Sequence, residues 1–466
     1  MNSRRKLAGK PRHWSGRFAV VAAIATTLAC ARGGDPRPIG TLEDVLSLRE
    51  RTDLNILFIL VDTLRADRLS AYGYERKTSP TIDALAEAGI RFRHHVAQSS
   101  WTKCSMASLW TGLYPNRTGV LRARHALPEA ASLPAEIFRE ADFRTAGLFR
   151  NGWVARNFGF AQGFEIYMSP RPPRFLVGHE PVDPAYVASS DDDVIRTASG
   201  FLRTHAGDRW FLYLHLLDVH QYTSDNASSI FGSSYSDVYD NAILWTDTLI
   251  GHLLAELDDH GLRDRTLVVL ASDHGEAFRE HGKDGHAFDV YGEVTEVPFI
   301  LAFPFRLEPG VVVESRSENV DIWPTVLQLV GLPPLPDPDG VSLLPAIEAA
   351  ARAERSLEDD EIAFAHLDRT WARIEAEAQP MVSVTDDRWR LLYRGADERL
   401  ELFDKQEDPR ERRNVASDHR DITLDLRETA EAYLRRSEAP WREAAPLVEI
   451  DEMELNQLRA LGYGVQ

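Results

Sequence analysis

Four side chains far apart in this 466-residue chain could converge on one divalent cation: Asp62, Thr102, Asp273 and His274. Two carboxylates and an imidazole form a donor set that suits Mn²⁺, Zn²⁺, Mg²⁺ or Ca²⁺ without ranking them. Thr102 stands at the mouth of a predicted helix, in Ser99-Ser100-Trp101-Thr102-Lys103-Cys104-Ser105-Met106. An alcohol held against a cation can be ligand and nucleophile at once, which fits ester chemistry on a tetrahedral anion. Each residue also has a local reading: Asp62 and Asp273 can cap the turns after them, and Thr102 can be an ordinary N-cap.

Such residues meet only if the fold brings them to one edge. Ile56 to Val61 is continuously apolar, as expected for a strand covered on both faces in a parallel sheet. Similar runs occur at Thr145–Phe149, Trp210–Leu214, Leu267–Ala271 and Pro298–Ala302. Helical patterns alternate with them at Pro80–Ala88, Ser105–Trp110, Ser132–Glu140, Asp192–Thr204, Asp237–His260 and Val320–Val330. The alternation predicts an α/β fold, a doubly wound and mostly parallel sheet with helices on both faces. Asp62 and Asp273 directly follow strand-like runs, so both fall at the carboxyl edge where such sheets place their sites. Past Ser356, Trp389–Tyr393 and Leu400–Phe403 flank a Gly-Ala-Asp-Glu turn beginning at Gly395, and predict a hairpin in a small C-terminal α+β subdomain. The domain expectation is therefore 54–355 for the main unit and 356–466 for the subdomain.

A net charge of −19 excludes a generally basic nucleic-acid binder, and 44% hydrophobic residues suffice for a large core. Residues 1–29 carry six basic residues and no acid before an apolar run from Phe18 to Ala29, too short to span a bilayer comfortably. That pattern predicts a signal peptide and export. Cys30 after Thr27-Leu28-Ala29 is similar to a bacterial lipoprotein processing site, with ordinary cleavage as the plainer reading. Residues 30–53 then read as the linker of a lipid anchor, and the location as periplasmic or membrane-anchored. Cys30 and Cys104 are the sole cysteines, so an acylated Cys30 leaves no disulfide.

Several segments in order resemble the sulfatase family of the alkaline-phosphatase superfamily. They are Asn55 to Asp67, Thr78 to Ala86, Thr111-Gly112-Leu113-Tyr114-Pro115, His215 to His220, Ser272-Asp273-His274-Gly275-Glu276, Asp321 to Thr325, Leu400 to Asp404 with Asp408-Pro409, and Leu458 to Tyr463. The resemblance implies a metal-dependent ester hydrolase or transferase with Asp62, Thr102, Asp273 and His274 on the cation. It also implies that His220 touches the leaving group or the transferred anion, and that His286, twelve residues beyond His274, lies on the anion. An imidazole at either place can move a proton near neutral pH.

The chain departs from the family at the nucleophile. True sulfatases use a formylglycine made from Cys or Ser in a Cys-x-Pro-x-Arg type motif; counting ten residues back from Gly112 reaches Thr102, with Cys104 and Met106 at the proline and arginine places. Cys104 is on this count a decoy. Threonine cannot form the aldehyde hydrate, so the resemblance points to a threonine-nucleophile variant acting on phosphoric or phosphonic esters, with sulfuric esters a further option. Lys103 either replaces the charge missing at Met106 or points into solvent. An alternative is a weakly active or inactive envelope binding protein of the same fold. Asp218, His220 and His286 offer a second metal site, but one metal is the preferred reading. Adjacent His94 and His95 on a strand would face opposite sides and cannot share a site. The tryptophans are read as core, and the loop from Pro170 to Ser190 as a pocket wall.

Overall fold

Asn55–Val61 (β1) lies at the centre of the sheet, buried at every residue. The computed structural model describes residues 35–171, 189–354, 362–373, 375–395 and 399–450, with backbone alone at 176–177 and 180–181. The predicted leader, Cys30, most of the Pro170–Ser190 loop, the rest of the turn after Gly395, the 355/356 boundary and Leu458–Tyr463 lie outside the described residues.

Seven more strands flank β1: β2 (Ile90–Val96), β3 (Arg144–Phe149), β4 (Ile166–Met168), β5 (Trp210–Leu216), β6 (Thr266–Ala271), β7 (Phe299–Ala302) and β8 (Val311–Glu318). Their order is β8-β2-β7-β6-β1-β5-β3-β4. All neighbours are parallel except β7, which runs antiparallel to both β2 and β6. The predicted mostly parallel α/β sheet is therefore present, with one reversed strand.

Alternation along β1 supplies both faces. Ile56, Phe58 and Leu60 face a core with Thr102–Thr111 (α2), Pro134–Glu140 (α3) and Ile322–Leu329 (α6). Leu57, Ile59 and Val61 face Pro80–Glu87 (α1), Asp191–Thr204 (α4) and Tyr235–Asp259 (α5). The long α4 and α5 start with Ser190 and Ser234 capping boxes, each closed by an aspartate three residues on. Trp110 on α2 meets Phe58 edge-on at 5.8 Å and Tyr213 at 4.9 Å, and stacks on Trp323 at 5.2 Å.

Ala363–Asp368 (β9), Pro380–Thr385 (β10), Trp389–Arg394 (β11) and Arg399–Asp404 (β12) form an antiparallel sheet, with β11 and β12 as the expected hairpin. Arg420–Arg435 (α7) covers it through Leu426, Ala430 and Tyr433. This sheet belongs to the same compact unit, which begins at Ile39.

Two expectations are corrected. The stretch expected to be a linker is structured from Ile39 onward: Thr41 and Asp44 form a capping box on Leu42–Ser47, and Val45 and Leu48 are buried in the core. Apolar residues spaced for one helix face were the unread signal. The helix predicted from Ser105 begins at Thr102 and ends at Gly112, whose positive φ of 67° lets its N–H bond Ser108 O at 2.9 Å.

Trp110→Ala should destabilise the protein by about 3–5 kcal/mol, read as a lower urea midpoint at unchanged slope.

Candidate active site

β1, β5, β6 and β3 end at the same edge, and the residues just past them meet there. Asp62, Thr102, Asp273 and His274 are all fully buried. One ligand atom from each of Asp62, Asp273 and His274 lies within 4.8 Å of the other two, the sole such cluster among the described residues. Thr102 Oγ1 is 3.1 Å from His274 Nε2. The four predicted side chains are thus adjacent.

The hydrogen bonds show which atoms are committed. Asp62 Oδ2 accepts from Asn151 Nδ2 at 2.7 Å and from His215 Nε2 at 2.9 Å, and His215 Nδ1 lies 2.7 Å from the Tyr213 hydroxyl. A carboxylate only accepts, so His215 donates through Nε2 and accepts the hydrogen bond of the Tyr213 hydroxyl at Nδ1. Asp273 Oδ1 accepts from the backbone N–H groups of His274 at 3.0 Å and Thr63 at 3.3 Å. His274 Nδ1 donates to Gly275 O at 3.0 Å, which leaves the Nε2 lone pair facing the cluster. The remaining oxygens, Asp62 Oδ1 and Asp273 Oδ2, are buried with no hydrogen-bond partner. Two orphaned carboxylate oxygens beside the His274 Nε2 lone pair fit a divalent cation, with Thr102 Oγ1 at 3.1 Å from that nitrogen.

Electrostatics agree with that fit. Burial and the charge of Asp62 push Asp273 up to about 7. Burial alone would also raise Asp62, but the neighbouring imidazoles, His220 foremost, and the hydrogen bond from His215 hold it below the usual carboxylate range. Burial lowers His274 and His220, and lowers His286 to about 4.

Local backbone fixes these positions. Thr63, a β-branched residue, sits at φ 62°, a conformation costing about 1–3 kcal/mol that neighbours must impose. The Tyr239 hydroxyl donates to Thr63 O at 2.6 Å, and Thr63 Oγ1 donates to Asp62 O at 2.6 Å. Gly275 allows close approach, since a Cβ there would lie 2.2 Å from Glu293 O.

The histidines of the rim are also placed. The His286 ring is 4.5 Å from the His274 ring and 5.0 Å from that of His220. Asp218 points elsewhere: it pairs with Arg150 and accepts from Trp245 Nε1 at 2.9 Å, so it forms no second metal site with them. His95 is buried against Ser317 and Asn319 while His94 is exposed. Lys103 takes neither predicted place, because its amine is buried 3.7 Å from the Phe158 ring and 4.7 Å from that of Trp153 and donates to Ala123 O. Cys104 is buried, with its thiol pushed up to about 12, and Met106 is core. The five tryptophans read as core, Trp101, Trp153, Trp210, Trp323 and Trp389, are all buried.

Asn151 is the residue that sequence reasoning missed. Its amide also reaches Thr102 Oγ1 at 3.2 Å, joining nucleophile candidate and carboxylate. Its signal was its place two residues past β3, at the same sheet edge as Asp62.

A family model described as Sulfatase matches residues 54–332, and one described as N-sulphoglucosamine sulphohydrolase, C-terminal, matches 280–435. The chain is 24% identical to the N-acetylgalactosamine-6-O-sulfatase of Bacteroides thetaiotaomicron, over 82% of this chain and 93% of that one. Its fold is similar to that of a 2-O GAG sulfatase, with TM-score 0.68 and 19% identity over 86% of this chain and 96% of that one. It is similar in the same way to the phosphonate monoester hydrolase of Agrobacterium radiobacter, with TM-score 0.65 and 20% identity over 86% and 98%.

Mn²⁺, Zn²⁺ or Ca²⁺ titrated into the purified protein should raise its melting temperature. Asn151→Ala should weaken that binding about 10–100-fold by calorimetry, since it removes a hydrogen bond that orients Asp62.

Proposed function

This chain belongs to the sulfatase family and is a sulfatase-like ester hydrolase, and from that premise we propose that it cleaves phosphoric or phosphonic esters with Thr102 as nucleophile. The observation that supports this most is the Thr102 hydroxyl beside His274 and Asn151, at the open oxygens of Asp62 and Asp273. Asp62, Asp273, His274 and Thr102 would hold one divalent cation, which when bound supplies charge that acidifies the hydroxyl and offsets the anionic ester.

The chain's own groups do the rest. Asn151 fixes the Thr102 oxygen against Asp62, and the first turn of α2 presents backbone N–H groups where negative charge develops. The oxygen attacks phosphorus, the new O–P bond forms, and the bond to the leaving alcohol breaks. The proton given up by Thr102 is the one that the alcohol needs, and His220 and His286, whose rings lie 5.0 Å apart, would carry it. Water then attacks the phosphothreonine, adds its hydroxyl to phosphorus, and returns its proton to the threonine oxygen. A threonine sulfate has no second hydroxyl on its carbon through which to eliminate, so an intermediate that water can open by attack at phosphorus is the one this threonine can turn over.

The lipid anchor at Cys30, the periplasmic or membrane-anchored location and the catalytic unit at 54–355 with its subdomain at 356–466 are parts of the same proposal. They rest on the sequence pattern. Among the described residues no helix is long and apolar enough to cross a membrane.

With Mn²⁺, Zn²⁺ or Ca²⁺ present, 4-nitrophenyl phenylphosphonate and bis(4-nitrophenyl) phosphate should turn over faster than 4-nitrophenyl sulfate. Thr102→Ala should lose ~10³-fold or more in kcat. Turnover that survives this substitution, or a preference for sulfate, would overturn the reading.

A further inference from the structure

Glu276 closes the Ser272–Glu276 segment and has no part in the chemistry so far. Its backbone is pinned by its own N–H to Glu293 O at 3.1 Å and by Gly275 N–H to Val294 O at 3.0 Å. The next two residues pair antiparallel with Asp284-Gly285, Ala277 opposite Gly285 and Phe278 opposite Asp284. That register sets Glu276 directly across from His286. Ala287 N–H, bonded to Ser100 O at 2.9 Å, ties the far side of His286 to the segment that leads into Thr102.

The side chains use this register. His286 Nδ1 lies 3.2 Å from Glu276 Oε2, and the carboxyl is buried at 2% exposure. With Nδ1 tied to Glu276, the opposite edge of the ring, which carries Nε2, turns away from the carboxyl. The ring itself stands 4.5 Å from His274 and 5.0 Å from His220.

We propose that Glu276 is a positioning residue: it holds His286 as the Nδ1–H tautomer with Nε2 presented to the ester, a carboxylate–histidine pair set beside the cation cluster. The proposal deepens the functional reading above and rests on His286 serving the anion. The physical logic is that a carboxylate partner fixes both the tautomer and the rotation of an imidazole that must bind or pass a proton at its other nitrogen. Glu276 acts through His286 and touches no reacting atom.

Two readouts test it on the full-length protein. Nitrogen-15 NMR of the imidazoles should show His286 as the Nδ1–H tautomer in the parent and in Glu276→Gln, which keeps an acceptor, and a mixture of tautomers in Glu276→Ala. With 4-nitrophenyl phenylphosphonate and Mn²⁺, Glu276→Ala should lower kcat about 10–100-fold with KM little changed, Glu276→Gln should recover part of it, and the Glu276→Ala/His286→Ala double variant should be no slower than His286→Ala alone. An unchanged tautomer in Glu276→Ala, or losses that multiply in the double variant, would overturn the proposal. A His286→Ala enzyme as fast as the parent would instead overturn the role given to His286, and the NMR result would still decide whether Glu276 holds the ring.

Discussion

Two buried carboxylates that face one another without a donor between them are the constraint on which the site depends. Asp62 Oδ1 and Asp273 Oδ2 converge with His274 Nε2 at the end of a mostly parallel sheet, with all three side chains buried. Like charges brought that close are unfavourable unless something cationic is shared, and here burial and Asp62 raise the Asp273 carboxyl. The other oxygen of each acid is fully engaged, Asp62 by Asn151 and His215 and Asp273 by two backbone N–H groups. The fold therefore spends half of each carboxylate on holding the other half in place.

That holding is distributed over the whole edge. β1 delivers Asp62 and then turns at Thr63 in a strained conformation that Tyr239 on α5 helps to impose. β6 delivers Asp273 and His274, and Ser105 on α2 donates to Asp273 O at 2.6 Å, locking the helix that begins at Thr102 to the segment that carries Asp273 and His274. Arg65 adds a clamp, donating to Glu276 O at 2.8 Å and pairing with Glu280 at 2.6 Å. Helix, strand end and loop are linked by short contacts between elements separated by more than two hundred residues in places, which only the completed sheet can bring about.

The sheet was legible because strands buried on both faces are unbroken apolar runs: five such runs correspond to β1, β3, β5, β6 and β7. β2 and β8 escaped, since Ile90–Val96 carries Arg91, Arg93 and two histidines and Val311–Glu318 alternates with charged residues. Both lie toward one edge, where polar residues are tolerated. The reversal of β7 left no mark, because strand direction depends on connections and not on composition. At the site, Asp62, Thr102, Asp273 and His274 are adjacent as the motif order implied. Asn151 was invisible, being a neutral side chain between Arg150 and Gly152 whose importance comes from where β3 ends. Lys103 was misjudged because a cation beside a candidate nucleophile suggests chemistry, while its neighbours in space are aromatic rings.

Those rings have a mechanical meaning. Lys103 follows Thr102, and Trp153 comes two places after Asn151, so the pocket in which the Lys103 amine lies against Trp153, Phe158 and Trp101 joins the two segments as one rigid piece. The aim of the Asn151 amide at the threonine oxygen is set by stacking and dispersion a full residue away from both groups. The alignment is completed during folding, and a change in that aromatic box would be felt at the Thr102 hydroxyl and the Asn151 amide even though neither belongs to the box.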